Sequence, residues 1–370
     1  MTDRAAGSLE DTTEFVPTRK GGWLEFVNRP PREQPEVRTT AQLQKLEGRD
    51  RRIYDEQRKV WHANLGPIRT PQLAAIHEAL DEIVDAARQD GDKVKGGAVI
   101  DAYPGLGKTT TTLSFGKQFH LGQTELYGEE TVEGHQRLPV AFVTLSGAVT
   151  VKGLNRALCR FYELPSSRGS ADELADRALD AVLSCRTKLV IVDDVHFLNP
   201  NRSDDRAVVN HLKHLASVLP VTFVFVGVGI EARRLEFEGY GVHDANKAQL
   251  ARRWTPLRVD PFEIATEEGR RTWRRLLLGI EQLLVLSAKR PGMLADDLSD
   301  YLFARSTGHF ASLMTIIQRG CRRAIQTGEE RLTKELLDRV KNDAAAERTR
   351  LELESAFDQA LLTSRPRRSA

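Results

Sequence analysis

The stretch AYPGLGKTTTT, Ala102 to Thr112, puts glycines, a lysine and a run of hydroxyls where a chain can grip phosphate. Backbone N–H groups from Gly105 to Thr109 can converge on an anion, aided by the positive end of a helix opening at Lys108. Pro104, Gly105, Leu106 and Gly107 make the tight part of the loop, and Lys108, Thr109 and Thr110 begin the helix. Lys108 supplies charge for the outer phosphates, and the Thr109 hydroxyl is a ligand suited to Mg2+. The pattern G-x-x-x-x-G-K-[ST] is broken at its first position, where Ala102 stands. Alanine adds one methyl and needs only φ < 0. Both glycines of the tight turn remain, so the substitution should be tolerated.

A second constellation follows in LVIVDD, Leu189 to Asp194, an apolar run ending in two carboxylates. Asp193, at the strand end, suits the Mg2+ shell, and Asp194 stands where a base could polarise an attacking water. A lone carboxylate pair also serves as an ion-pair partner. The fully apolar run before this one favours the site reading, with the strand expected to open beside the phosphate-binding strand. His196, His211 and His214 offer no third metal ligand.

These residues need elements to hold them. Short β-branched runs at 98–103, 140–146, 189–194, 221–227 and 256–262 alternate with helical patterns at 108–120, 151–162, 171–185 and 204–218. Strands this apolar are covered on both faces, which predicts a parallel sheet with helices on each side. Ser170 and Glu173 form a capping box. Upstream, Thr70 as N-cap with Pro71 at the first helical position starts one helix, and a helix from Thr39 or Thr40 to about Trp61 is weakened by Gly48. Pro30, Pro31 and Pro35 forbid regular helix and predict an extended arm over 1–37. Its apolar knot at Trp23, Leu24, Phe26 and Val27 docks on its own domain or on a partner. After Thr266 the pattern is helical throughout, at 266–287, 293–305, 309–327 and 333–346. The expected division is an arm (1–37), a core with N-terminal helices (38–265), a helical lid (266–350), and a helix end with a disordered basic tail (351–370).

The bulk numbers are permissive. The 370 residues carry 54 basic and 52 acidic side chains, a net charge of +2, so any basic surface must be local. Cys159, Cys185 and Cys321 are far apart and read as reduced thiols. WRRLLLGIEQLLVL falls short of the ~18 apolar residues a membrane span needs, and the first residues lack a signal-peptide core. The expected location is cytoplasmic, with no membrane partner.

The stretches IRTPQLAAIHEAL, AYPGLGKTT, LVIVDDVHFL, NHLKHLASVLPVTFVFVGVG and QLARRWTPLRVDPF together resemble the TniB/TnsC-like ATPases of DNA transposition, within the AAA+ superfamily. The resemblance covers about residues 65 to 330. It implies an α/β fold, a P-loop NTPase core with a parallel five-stranded sheet and a C-terminal helical lid. It also implies ATP and Mg2+ as ligands, and a homo-oligomer, ring or filament, on double-stranded DNA that recruits a transposase or integrase. By the same resemblance Ile68 joins the nucleotide-binding residues. Arg253, or Arg252, takes the part of an arginine finger completing a neighbour's site. Lys152, Arg156 and Arg160 become candidates for DNA phosphates; apart from the resemblance, the tail residues Arg365, Arg367 and Arg368 either add affinity or bind nothing. Three positions depart from the family pattern. Asp194 replaces a Glu, Gly227 and Val228 stand where a polar sensor is usual, and His309 and Ala311 stand where the lid often has Arg. The departures predict secure binding and turnover that is either slow or dependent on a partner.

Two other readings stay open. One is a replication-initiator or helicase-loader ATPase of the same superfamily, for which residues 333–370 look too short and too helical to form a winged helix. The other is a signalling NTPase that does not touch DNA.

Overall fold

The apolar runs become five strands: β1 (Gly97–Ala102), β2 (Val140–Thr144), β3 (Leu189–Asp193), β4 (Thr222–Gly227) and β5 (Trp254–Val259). The computed structural model of the chain describes residues 15–90, 93, 95–147, 149–198, 203–230 and 254–367. The strands form one all-parallel sheet in the order β2-β3-β4-β1-β5. Every residue of β3 and β4 is buried, as two-sided cover requires. Pro256, which has no N–H to donate, is accommodated because β5 is an edge strand. The acidic strand β3 does not lie beside β1 as expected, because β4 pairs with both and separates them.

Helices α1 (Lys20–Asn28), α2 (Thr40–Gln44), α3 (Gly48–Ala63) and α4 (Pro71–Ala86) precede the sheet. Within it run α5 (Lys108–Tyr127), α6 (Val151–Phe161), α7 (Ala171–Ser184) and α8 (Ser203–Val218). After it come α9 (Glu267–Leu283), α10 (Ser299–Ser306), α11 (Phe310–Thr327), α12 (Lys334–Asp338) and α13 (Ala344–Asp358). The caps read from sequence are present. Thr70 accepts from Leu73 N with Pro71 behind it, and Ser170 and Glu173 close a reciprocal capping box.

Several expectations are corrected. The arm is not wholly extended, because α1 occupies residues 20–28, all before the first of the three prolines. Its apolar knot packs on its own domain: Trp23 is fully buried, stacks on Phe142 and donates from Nε1 to His120 Nδ1 at 3.0 Å. The helix expected over 39–61 is two helices, interrupted before Gly48, whose φ of +52° suits glycine. The single pattern at 333–346 likewise divides into α12 and α13, with Asp343 capping the second. In place of one helix over 293–305, a π-helical turn at Met293–Asp297 leads into α10. The tail is not loose as far as it is described. Ser364 is buried and bonded to Ser299 and Asp300, Arg365 lies 3.5 Å from Asp300, and Arg367 N donates to Glu267. Arg368 lies outside the described residues.

Two hydrophobic cores result. One surrounds the sheet and includes Trp23 of α1 and Ile76 and Leu80 of α4. The other joins α9 to α12, with Phe262 at its edge. The helices α2 and α3, expected with the sheet domain, pack instead on this C-terminal bundle. Arg58 of α3 is buried against Glu330 at 2.6 Å, Trp61 Nε1 donates to Leu283 O at 2.7 Å, and His62 Nε2 accepts from Val285 N at 3.0 Å. The chain therefore passes from sheet to bundle after α1, back again before α4, and to the bundle once more after β5.

Candidate functional site

The phosphate loop lies between the buried end of β1 and the first turn of α5. Ala102 ends β1 in ordinary strand backbone, paired with Val259, so the missing first glycine costs the loop nothing. The turn itself uses left-handed backbone at Gly105 (φ +79°) and Gly107 (φ +82°), which a side chain would strain. Pro104 and Gly105 are exposed, and Leu106 is buried beneath the loop. Gly107 caps α5 with no side-chain acceptor, leaving the first N–H groups of a 20-residue helix open to an anion.

Although β4 intervenes, the first turn of α5 reaches β3. Thr109 Oγ1 donates to Asp193 Oδ2 at 2.6 Å. The other oxygen, Oδ1, accepts from Asp194 N at 2.8 Å. Asp193 is almost fully buried, and that burial raises its carboxyl above the usual range, opposed by the bond from Thr109. A buried carboxylate bonded to a hydroxyl that opens a phosphate-binding helix fits a divalent cation, which would restore the charge balance that burial disturbs. Among the described residues no group of three or more His, Cys, Asp or Glu could hold a metal without help from a ligand.

Asp194 adopts left-handed backbone (φ +61°, ψ +30°) at the turn after β3. This turns its carboxylate toward Lys108 Nζ at 4.0 Å and His196 Nδ1 at 3.8 Å. Non-glycine residues seldom occupy this region, and Asp is among those that tolerate it. The end of β4 offers no polar group. A Cβ on Gly227 would lie 3.0 Å from Ile230 and 3.1 Å from His196 N, so the strand end closes on the Asp194 turn where a sensor side chain would need room.

Beside the loop is a cavity of about 360 Å³. Its walls come from the segment before α4 (Leu65, Ile68), the first turn of α4 (Gln72, Leu73), the loop (Leu106, Gly107, Thr110), the end of β5 (Val259) and the bundle (Phe310, Met314). Ile68 lines this cavity together with the loop residues. The C-terminal bundle meets the loop through backbone: Ala311 N donates to Gly105 O at 2.8 Å. A Cβ on Gly105 would make ordinary contact with that of Ala311, at 3.5 Å. His309 bonds within its own turn, to Thr307.

Sequence reasoning missed the parts of this cavity outside the loop, apart from Ile68. Gln72 is the most telling. Its Oε1 is buried and has no hydrogen-bond partner. The helix start at Thr70-Pro71 was the available signal, because it fixes which side chains form a first turn.

Other candidates are not gathered here. Lys152, Arg156 and Arg160 lie on α6, whose buried side packs against α7 and β2. Lys152 and Arg160 are exposed, whereas Arg156 is half-buried and donates from Nε to Ser166 O at 3.0 Å. Arg252 and Arg253 lie outside the described residues.

The chain is an α/β fold with a five-stranded all-parallel sheet in this order, a loop of this shape and an acidic strand end reached by Thr109, an arrangement similar to that of AAA+ P-loop NTPases. Residues 92–235 match the AAA domain family. The Orc1 protein of Aeropyrum pernix, solved in complex with DNA, superposes with a TM-score of 0.55 at 17% identity, covering 82% of this chain and 71% of that one. Cdc6p from Pyrobaculum aerophilum superposes at 0.51 and 16% identity, covering 75% of this chain and 68% of its own. At such identities the likeness is one of fold. No curated protein matches this chain in sequence. No described helix is long and apolar enough to cross a membrane.

Proposed function

We propose that this chain is an ATP-binding switch that assembles as an oligomer on double-stranded DNA, hydrolyses ATP slowly, and in its ATP-bound form recruits a transposase. The observation that carries the nucleotide part is the 2.6 Å bond from Thr109 to Asp193 at the mouth of the loop. Loop N–H groups and Lys108 would hold the phosphates, Thr109 and Asp193 would hold Mg2+, and Asp194 would orient the attacking water. Bound Mg2+ would neutralise charge on the phosphates. The adjoining cavity suits a base, and the orphaned Gln72 Oε1 can accept from an exocyclic amine such as that of adenine.

Slow turnover rests on the short Asp194 and on the lack of a polar group at Gly227 and at Ala311. Arg253, or Arg252, would enter a neighbouring subunit's site. Lys152, Arg160 and, on release from Ser166, Arg156 would meet DNA phosphates without reading sequence. The transposition reading rests on the sequence stretches that resemble the TniB/TnsC-like ATPases.

A second reading, an initiator-like ATPase, is favoured by the likeness of fold to an Orc1 protein that was solved with DNA. One experiment separates the outcomes: electron microscopy and footprinting with duplex DNA and a non-hydrolysable ATP analogue. Sequence-independent rings or filaments support the proposal, and a footprint confined to one sequence supports the initiator. No DNA-dependent assembly overturns both and leaves the signalling NTPase. Lys108→Ala should abolish Mg2+-dependent ATP binding at the loop, and an unchanged Mg2+-dependent affinity would refute the loop assignment itself.

A further inference from the structure

At the end of the sheet opposite the phosphate loop, where the strands begin, a second cavity of about 450 Å³ opens. Five cationic side chains line it: Arg88, Lys95, Arg137, Arg186 and Lys188, with no Asp or Glu among the described residues of its wall. Their placement follows from the topology. Lys95 precedes β1, Arg137 precedes β2 and Lys188 precedes β3, so three parallel strands deliver a cation each to the same edge.

Two of the charges are already balanced, Arg88 by Asp85 at 2.8 Å and Arg186 by Glu133 at 2.6 Å, both on the surface. The other three have no carboxylate partner among the described residues. Lys95 is buried and donates to the carbonyls of Gln89 and Asp90. Arg137 donates to the carbonyls of Tyr127, Gly128 and Glu130. Those carbonyl bonds fix the side chains in place without cancelling their charge. Partial burial, then Arg186, Lys95 and Arg137 in turn, lower the ammonium of Lys188 from its ordinary value, as crowding among like charges requires. Such crowding is unfavourable in the isolated chain and is relieved by a multiply charged anion. On another side the wall is apolar and aromatic, with Phe119 and Tyr127 from α5.

We propose that this cavity is a second ligand site, which takes a small phosphorylated molecule of about nucleotide size. Its phosphates lie on Lys188, Arg137 and Lys95, and its less polar part lies against Phe119 and Tyr127. The recessed shape favours a free small molecule over the backbone of a duplex, which presents its phosphates on a convex surface.

Calorimetric titration of the full chain with pyrophosphate, and then with ADP, tests this in the Lys108→Ala background, where the loop is disabled. One equivalent of pyrophosphate should still bind. Adding Lys188→Gln should weaken that event by about tenfold or more, the size of one charge-assisted hydrogen bond. Arg137→Gln should do the same, with thermal melts checking that its loop is kept. Lys188→Gln alone should leave loop-dependent ATP binding unchanged. The proposal is overturned if Lys108→Ala binds no pyrophosphate, or if binding there is indifferent to both pocket substitutions. It is equally overturned if duplex DNA displaces pyrophosphate and Lys188→Gln lowers DNA affinity in step, since the occupant is then a DNA phosphate. None of these outcomes bears on whether the loop binds ATP, which wild-type titration reports separately.

Discussion

Replacing Asp193 by Asn and by Ala should give opposite results, for reasons visible at the loop. The carboxylate accepts two hydrogen bonds, from the Thr109 hydroxyl at 2.6 Å and from Asp194 N at 2.8 Å, in a nearly sealed position. Alanine orphans both donors, at about 1–3 kcal/mol each, so Asp193→Ala should cost roughly 2–6 kcal/mol before relief of the buried charge. Asparagine keeps an acceptor for Asp194 N, and its amide can donate to Thr109 once that hydroxyl rotates. It also removes a charge that burial disfavours. Because the folded carboxyl titrates above its ordinary value, ionised Asp193 detracts from stability once pH rises through that folded value, and the penalty vanishes as pH falls below the unfolded one. Asp193→Asn should therefore melt at or above wild type at neutral pH without nucleotide, with the gap closing in acid. Asp193→Ala should melt several degrees lower, at roughly 2–4 °C per kcal/mol. In calorimetry, Mg2+ should strengthen ATP binding to wild type and lose at least tenfold of that effect, about 1.4 kcal/mol, in the Asn variant. Equal destabilisation by Asn and Ala, or an undiminished Mg2+ effect in Asn, would refute the assignment.

Three further outcomes follow from other contacts. His120 and His62 are held by burial at about 4 and about 3, far below 6.5, and each accepts a bond that needs a neutral ring. Their contribution is complete above pH 6.5 and is lost as pH falls toward those values, so urea midpoints should drop over that window and His120→Gln should flatten the slope. Arg58→Ala leaves the buried Glu330 without its main partner and should cost about 3–5 kcal/mol in thermal unfolding, with ATP-loop contacts untouched. Gly227→Ala forces a methyl against Ile230 and the His196 backbone, at about 1–3 kcal/mol. It should reduce ATP turnover by displacing the Asp194 turn while leaving ATP affinity close to wild type.

The phosphate loop was legible because its chemistry is local, set by two glycines, a lysine and a threonine within a few residues. Asp193 was legible because a buried strand must end somewhere, and acids at that end are conspicuous. The cavity beside the loop was mostly illegible: Gln72, Val259 and Met314 are remote in sequence and meet only once the bundle packs on the loop. Packing partners were also hidden. The pattern over 39–61 predicts a helix but not its partner, and α3 buries Tyr54, Arg58 and His62 on the bundle side instead of the sheet. The arm was misread because its prolines end a helix that had already formed. The order of the strands needed the structure too, since nothing in LVIVDD tells that β4 would separate it from β1.

The buried pair of Arg58 and Glu330 joins residues 272 apart in sequence. The C-terminal bundle thus closes around α2 and α3, which leave the ribosome before any strand of the sheet. Contacts of such long separation are slow to form, because the intervening chain must be ordered or looped first. During synthesis α3 must wait, its charged surface keeping it hydrated, until residues beyond 330 emerge. The sheet and the phosphate loop can be complete by then. The loop would thus be assembled well before the bundle packs against it, and a ribosome-stalled or truncated product would present the loop without the wall that Phe310 and Met314 supply.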